Sequence, residues 1–500
     1  MAASIQTIIP MIVYLAVSIG IALWARQQSS KSTSQGFIEE YFIGSRSMGG
    51  FVLAMTIIAS YTSASSFIGG PGVAYRFGLS WVLLAMIQVP TAFLTLGVLG
   101  KRFAIMARQT RSVTITDYLR ARYDSDAVVI LCSVALIVFF MAAMLAQFIG
   151  GARLFQTVTG YPYAVGLSLF GISVVLYTAV GGFRAVVLTD AIQGIVMVVA
   201  VVVVLLAVIN AGGGVAQCVS TLKDIDPGLI TPTGPDNAVP QAFTLSFWVL
   251  VGIGVLGLPH TTQRCMGYRD SRAMHDAMVI GTLLIGFMIL CAHLAGTFGR
   301  AVFPDLPAGD LAMPTMILKL LSPVWAGVVI AGPLAAIMST VDSMLLLVSA
   351  AIIKDLYIHY RLKGDASRMP VATLKRTSTW ITAVVGLLVF VAALEPPDLL
   401  VWINLFAFGG LEAAFLCPIV LGLYCRSGNA RGAVASIVCG VTAFMALSIM
   451  KPAMGGIHAI VPTTLVSLAA YMAGSYLGPR PHGLRNSHND PDARTNGAES

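Results

Sequence analysis

The chain is a series of apolar stretches, each long enough to cross a membrane, separated by shorter polar segments. A bilayer-spanning helix needs about 20 apolar residues. Windows of this length fall near residues 8–24, 51–75, 80–100, 128–150, 164–180, 189–211, 244–263, 277–299, 317–350, 378–395, 399–425, 432–450 and 457–477. The pattern therefore predicts an all-α membrane protein with about thirteen spanning helices. The first stretch lacks a signal-peptide cleavage site, so we expect it to be retained as a helix.

Two of the predicted spans contain helix breakers near their centres. The stretch 51–75 reads SASSFIGGPG from Ser63, and the stretch 244–263 reads GIGVLGLPH from Gly252. An unsatisfied peptide group is costly in hydrocarbon, so a broken helix at membrane depth must be packed in protein or line a cavity. Two broken spans in corresponding halves of a chain are typical of a secondary transporter built from inverted repeats.

Composition agrees with a membrane protein and argues against several other classes. Of the 500 residues, 57% are hydrophobic and 10% are charged, whereas soluble domains carry about 25% charged residues. The net charge of +8 does not indicate a nucleic-acid partner, because the basic residues are scattered between the spans. The seven cysteines form no CxxC pair, which argues against a disulfide framework or metal centre. No GxSxG, HExxH or Walker A motif is present, so neither an enzyme nor a primary pump is predicted.

The basic residues also predict the orientation of the chain in the lipid bilayer. If the spans alternate in direction, 24 of the 30 basic residues lie on one side and 6 on the other. The positive-inside rule then places the amino terminus outside and the carboxyl terminus in the cytoplasm. Residues 212–243 become an external loop, and 478–500, which are almost free of apolar residues, become a disordered cytoplasmic tail.

Six sequence blocks resemble the sodium:solute symporter family. They read EEYFIGSRSMGGFVLAMT, SASSFIGGPGVAYRFGLSWVLLAMIQ, GISVVLYTAVGGFRAVVLTDAIQG, GLPHTTQRCM, AAIMSTVDSMLLLVSAAIIKDLY and NLFAFGGLEAAF, within a resemblance that extends from about Gln35 to Gly478. The resemblance implies a LeuT-like core of two inverted five-helix repeats, at 51–211 and 244–425. One extra helix would lie within 1–50 and two more within 426–477.

The same resemblance implies a function. It predicts import of a small organic acid, with pantothenate favoured, across the bacterial cytoplasmic membrane, with Na⁺ as the coupling ion and no organic cofactor. Another monocarboxylate or an amino acid is the alternative substrate. A channel or membrane sensor on the same scaffold is the alternative from another class, but the broken spans do not suggest a continuous pore.

A sodium site follows from the resemblance, residue by residue. It implies main-chain oxygens of Ala59 and Thr62, the carbonyl of Ala336 and the hydroxyls of Ser339 and Thr340. The last three are spaced i, i+3 and i+4 and so share one helix face. Uncharged oxygens suit sodium at the break of a transporter helix. By spacing alone, however, Ser and Thr in membrane helices also bond to their own backbone or mediate close packing.

Three acidic residues fall within or at the edge of spans, where acids are usually functional. In this family the acid matching Asp190 is tied to sodium dependence and in some members to a second sodium. The alternative is a helix N-cap at the start of the sixth span. Asp342, three residues after Ser339, and Glu412 are expected to act near the ion or the pathway, or to make buried structural hydrogen bonds.

Candidate substrate contacts lie at the two breaks and on the helix after the first break. Ser65 and Ser66 offer hydroxyls at the first break, Gln88 offers an amide, and Pro259 and His260 lie at the second break. Uncharged donors and the amino-terminal end of a half-helix can hold a carboxylate.

Overall fold

The computed structural model describes residues 5–28, 46–363, 365, 368–396, 400–450 and 454–478. This part of the chain is 86% helical and contains no β-strand, apart from an isolated bridge between Met48 and Tyr268. The predicted tail after Gly478 and most of the predicted loop before Gly50 lie outside the described residues.

Up to Ala211 the described residues form eight helical segments. They are α1 Ile5–Gln28, α2 Gly50–Tyr61, α3 Ser65–Phe77, α4 Leu79–Gln109, the short α5 Ile115–Tyr123, α6 Asp126–Thr159, α7 Tyr163–Phe183 and α8 Ala185–Ala211. Helices α7 and α8 continue into each other across a kink at Gly182, whose φ of 63° suits glycine.

From Val215 onward the described residues form, besides three short 3₁₀ turns, ten further helices. They are α9 Val215–Ile225, α10 Gln241–Gly257, α11 Pro259–Met266, α12 Ser271–Val302, α13 Ala312–Leu320, α14 Pro323–Arg361, α15 Val371–Ala392, α16 Leu400–Tyr424, α17 Ala430–Met450 and α18 Ile460–Leu477.

The described residues contain eleven helices that are long and apolar enough to span a membrane, and two bent pairs that each form one broken span. Helices α2 and α3 meet at 71°, and α10 and α11 meet at 47°. At these breaks Thr62 and Leu258 adopt extended backbone angles. The prediction of about thirteen spans, two of them broken, is confirmed within the described part of the chain.

Two predicted boundaries differ from the structure. The predicted span 317–350 is divided, because α13 ends at Leu320 and α14 begins at Pro323, a residue that has no N–H to continue the preceding helix. Helix α14 then runs on to Arg361. The segment 212–243 is not a plain loop, since it contains α9, which buries Cys218 and Leu222.

Helix α14 lies at the centre of the protein. In the most apolar 18-residue stretch of α14, 94% of the residues are buried. The same share is 28% in α17 and 22% in α18. It packs against α1, α2, α6 and α8. Peripheral helices instead expose large apolar side chains such as Leu387 and Leu465, as expected of surfaces that face lipid. The broken helices and α14 therefore hold their polar groups away from lipid.

Candidate ion and substrate sites

The first break lies directly against α14. The Ser339 hydroxyl donates to the carbonyl oxygen of Ala59 at 2.7 Å and to that of Ala336 at 3.1 Å. The Thr340 hydroxyl lies 2.9 Å from the carbonyl oxygens of both Thr62 and Ala336. All five residues are buried. The structure thus brings every residue of the predicted sodium site into one cluster.

The chemistry of this cluster fits a monovalent cation. It offers three carbonyl oxygens and two hydroxyl oxygens, none of which carries a fixed charge. The carbonyl oxygens of Ala59 and Thr62 are available because α2 ends at Tyr61 and the backbone at Thr62 is extended. The regular helical hydrogen bonds therefore stop there. The hydroxyl hydrogens that now donate to these carbonyls can rotate away and leave lone pairs for an ion.

Asp190 lies inside α8, not at its start. The helix begins at Ala185, and the side chain of Asp190 is fully buried. The N-cap alternative is therefore wrong. The carboxylate oxygen Oδ2 accepts a hydrogen bond from the Thr56 hydroxyl at 2.5 Å and forms an ion pair with Nη2 of Arg264 at 3.2 Å.

Arg264 is a buried member of this cluster that the sequence analysis did not single out. Its side chain is only 1% exposed, although it counts as a residue of a cytoplasmic segment when spans are assigned by hydropathy. Besides Asp190, the guanidinium donates to the Ser343 hydroxyl at 2.7 Å and to the His260 carbonyl at 2.9 Å. It also lies over the ring of Phe183. Removing Arg264 from the cytoplasmic group leaves 23 basic residues there against 6, so the predicted orientation is unaffected.

Ser343 connects the ion pair to the predicted sodium cluster. Its hydroxyl oxygen lies 2.9 Å from the carbonyl oxygen of Ser339 and 3.3 Å from Oδ1 of Asp342. The other Asp342 oxygen, Oδ2, accepts a hydrogen bond from the Tyr177 hydroxyl at 2.5 Å. Asp342 therefore lies one hydroxyl group away from both the sodium cluster and Arg264.

A cavity adjoins the first break. Its lining includes the predicted substrate residues Ser65, Ser66 and Gln88. Further polar lining residues are Tyr61, Asn404 and His293, and the apolar ones include Trp81, Phe247 and Phe408. Three of the five predicted substrate residues are thus brought together. Asn404 and His293 are additions. Asn404 opens the block NLFAFGGLEAAF but was not among the predicted substrate contacts, and His293 lies outside all six blocks.

Hydrogen bonds fix the orientation of two amides in this cavity. The Gln88 side-chain oxygen accepts from the Tyr61 hydroxyl at 3.1 Å. The Asn404 side-chain oxygen accepts from the Gln147 amide at 3.2 Å, and the Gln147 oxygen accepts from the Ala64 backbone N–H at 2.8 Å. Because both oxygens already accept, the NH₂ groups of Gln88 and Asn404 are left to donate to a ligand.

His293 contributes the opposite chemistry. Its Nδ1 lies 2.7 Å from the carbonyl oxygen of Ile289, which can only accept, so Nδ1 carries the proton in the neutral ring. Its Nε2 is then an acceptor beside Gly70, where an added Cβ would lie only 2.4 Å away. Gly70 thereby allows the imidazole to reach the cavity.

The structure does not bring Pro259 and His260 into this cavity. His260 is fully buried between the rings of Phe140 and Phe408, with ring centroids 5.6 and 5.4 Å away. Neither of its ring nitrogens has a hydrogen-bond partner in the described structure. Phe408 lines the cavity, so His260 lies behind its wall, and a direct contact with substrate stays a prediction. Glu412 also lies outside the lining, against Gly254 near the second break.

The chain matches the model of a known protein family. The match is to the sodium:solute symporter family and covers residues 41–440. The chain belongs to this family. Family membership and the many apolar helices make it an integral protein of the bacterial inner membrane, and a sodium-coupled transporter rather than an enzyme.

Curated relatives of this symporter extend over nearly its whole length. The sodium/pantothenate symporter of Escherichia coli (strain K12) is 51% identical over 474 residues, which is 95% of this chain and 97% of that protein. The protein of the same name from Haemophilus influenzae (strain ATCC 51907 / DSM 11121 / KW20 / Rd) is 47% identical, over 95% and 96%. The osmoregulated proline transporter OpuE of Bacillus subtilis (strain 168) is 28% identical, over 96% of each chain.

Solved structures confirm the predicted fold of the symporter. A substrate-bound, outward-open Na⁺-coupled sialic acid symporter matches with a TM-score of 0.75 at 17% identity, over 95% of this chain and 99% of that one. Mhp1, a nucleobase-cation-symport-1 family transporter, matches with a TM-score of 0.53 at 15% identity, over 88% and 95%. These neighbours have a LeuT-like fold.

Proposed function

We propose that this symporter imports pantothenate together with sodium. The observation that carries the proposal is the 51% and 47% identity to two curated sodium/pantothenate symporters across 95% of the chain. The proline transporter among its relatives is much less similar, at 28%. Import of another monocarboxylate or of an amino acid is the alternative within the same mechanism.

Sodium binds, in this proposal, between α2 and α14. The carbonyl oxygens of Ala59, Thr62 and Ala336 and the hydroxyl oxygens of Ser339 and Thr340 are its ligands. The hydrogen bonds that join these atoms support the proposal, because they show that α14 presents both hydroxyls to the broken end of α2. An ion at this position would hold the two helices together and so stabilise one state of the transporter.

Pantothenate binds in the adjoining cavity. It has one carboxylate, one amide and two hydroxyl groups, which match a lining that is rich in neutral donors. The carboxylate is assigned to the NH₂ groups of Gln88 and Asn404 and the hydroxyl of Ser65, which has no partner among the described residues. Ser66 lies beside them at the amino-terminal end of α3, where the helix dipole favours an anion. Nε2 of His293 would accept from a substrate hydroxyl.

One sodium accompanies each pantothenate in this proposal. Asp190, which can form part of a second sodium site, is already paired with the Arg264 guanidinium. A sodium moving across about 100 mV gains about 2.3 kcal/mol, and a monoanion moving with it loses the same amount. Transport is then electroneutral, and accumulation is limited to the sodium ratio itself. The amino terminus faces outward and the carboxyl terminus faces the cytoplasm.

Uptake into proteoliposomes tests the proposal. Labelled pantothenate, proline and a panel of other small organic acids are offered with and without an inward sodium gradient. Pantothenate should accumulate only with the gradient. Accumulation of proline or another acid in preference to pantothenate would overturn the substrate, and accumulation without a gradient would overturn the coupling.

A further inference from the structure

Glu412 is a buried carboxyl group that the sodium and substrate sites do not use. It lies in the middle of α16, is 2% exposed, and neither of its oxygens has a hydrogen-bond partner among the described residues. The phenol of Tyr61, on α2, is a neighbouring titratable group. An ionised carboxylate buried in this way is among the most unfavourable groups in a protein interior.

Two glycines bring the second broken helix onto this carboxyl group. An added Cβ at Gly254 would lie 2.4 Å from Oε2 of Glu412, and one at Gly257 would lie 2.9 Å from the backbone nitrogen of Leu416. Glu412 and Leu416 are four residues apart and so share one face of α16. The last turn of α10 therefore rests on this face of α16 with no side chain between them.

A backbone carbonyl is a neighbour of Glu412. A Cβ added to Gly254 would lie 2.6 Å from the carbonyl oxygen of Val249, in the irregular turn Trp248–Gly252, and 2.4 Å from Oε2 of Glu412, so both oxygens face the space beside Gly254. A carboxylate only accepts hydrogen bonds, whereas a protonated carboxyl group can donate one to a carbonyl. A sodium ion would need several oxygens, as in the five-oxygen cluster at the first break, and one nearby carbonyl does not provide them.

We propose that Glu412 is a proton-binding site of the transport cycle. It is a neutral carboxylic acid while α10 rests on α16, and it ionises when the two helices separate. In that step the O–H bond breaks, the proton passes to a water molecule that enters the opened contact, and the carboxylate remains on α16. The proposal goes beyond the proposed function, because it holds whichever organic substrate the protein carries.

Infrared spectroscopy of the full-length protein in lipid tests the proposal without relying on transport. The chain contains only five glutamates, so a glutamate-selective ¹³C label on the carboxyl carbon isolates their bands. Substituting Glu412→Gln should remove one C=O band of a protonated carboxyl group at neutral pH. The matched control is Glu395→Gln, which changes an exposed glutamate and should remove a carboxylate band instead.

The opposite result overturns the proposal. If Glu412→Gln removes a carboxylate band, as the control does, Glu412 is ionised and binds no proton in this state. If Glu412→Gln does not insert, the labelled parent protein still decides. It should keep one protonated band at a mildly alkaline pH that ionises exposed glutamates, and complete loss of that band would refute the site.

Discussion

Truncating Ser339 to alanine should weaken sodium activation of transport. Its hydroxyl is fully buried and bonds to two of the proposed ligand carbonyls, those of Ala59 and Ala336. A hydrogen bond to a charged partner is worth about 1.5–3 kcal/mol, and we apply this value to the loss of one oxygen ligand. Since about 1.4 kcal/mol is a factor of ten, half-maximal uptake should need roughly 10- to 100-fold more sodium.

The measurement is initial pantothenate uptake by proteoliposomes over a series of sodium concentrations. Ser349→Ala is the matched control, because Ser349 lies on the same helix, is equally buried and bonds to Thr382 instead of to the ion cluster. It should leave the sodium constant unchanged. If Ser339→Ala, Thr340→Ala and the double variant all keep the parental constant, these hydroxyls do not bind the ion.

Four further outcomes are expected. Arg264→Gln should destabilise the purified protein by about 3–5 kcal/mol, the range for breaking a buried pair, and adding Asp190→Asn should restore part of the loss in thermal unfolding. Asp342→Asn should raise the sodium concentration needed for half-maximal uptake. Both carboxylate oxygens of Asp342 lie near hydroxyl groups, an arrangement that suits an ionised carboxylate. An unchanged constant in sodium titrations would mean that Asp342 is protonated. Asn404→Asp replaces a donor with a negative charge and should raise KM for pantothenate far more than for its neutral alcohol analogue, whereas equal changes would remove Asn404 from the carboxylate position. An inside-negative potassium diffusion potential should not stimulate uptake, and stimulation would exclude one sodium per pantothenate.

The sequence is informative about the spans because hydropathy is a property of contiguous residues. The two helix breaks are also predictable, because glycine and proline, with serine at the first break, occur in the stretches that begin at Ser63 and Gly252. The helical spacing of Ala336, Ser339 and Thr340 placed them on one face, and the family resemblance supplied their partners on α2. These features depend on local sequence or on a known pattern.

Contacts between distant parts of the chain could not be predicted in this way. Arg264 and Asp190 are 74 residues apart, and hydropathy assigns each to the edge of a span. Only the folded arrangement shows that α8 and α11 bring them together in the interior. Asn404 and His293 face the cavity for the same reason: their positions depend on how α16 and α12 pack around the first break.

The absence of charge among the five proposed sodium ligands has a consequence for the voltage dependence of the cycle. Electrical work on a moving part of a membrane protein is proportional to the net charge that it carries through the field. Carbonyl and hydroxyl oxygens contribute none, so the emptied binding site can return to the outer face without doing work against the resting potential. The loaded site carries one sodium and one monoanion, whose opposite charges cancel, so the inward movement does no net electrical work either.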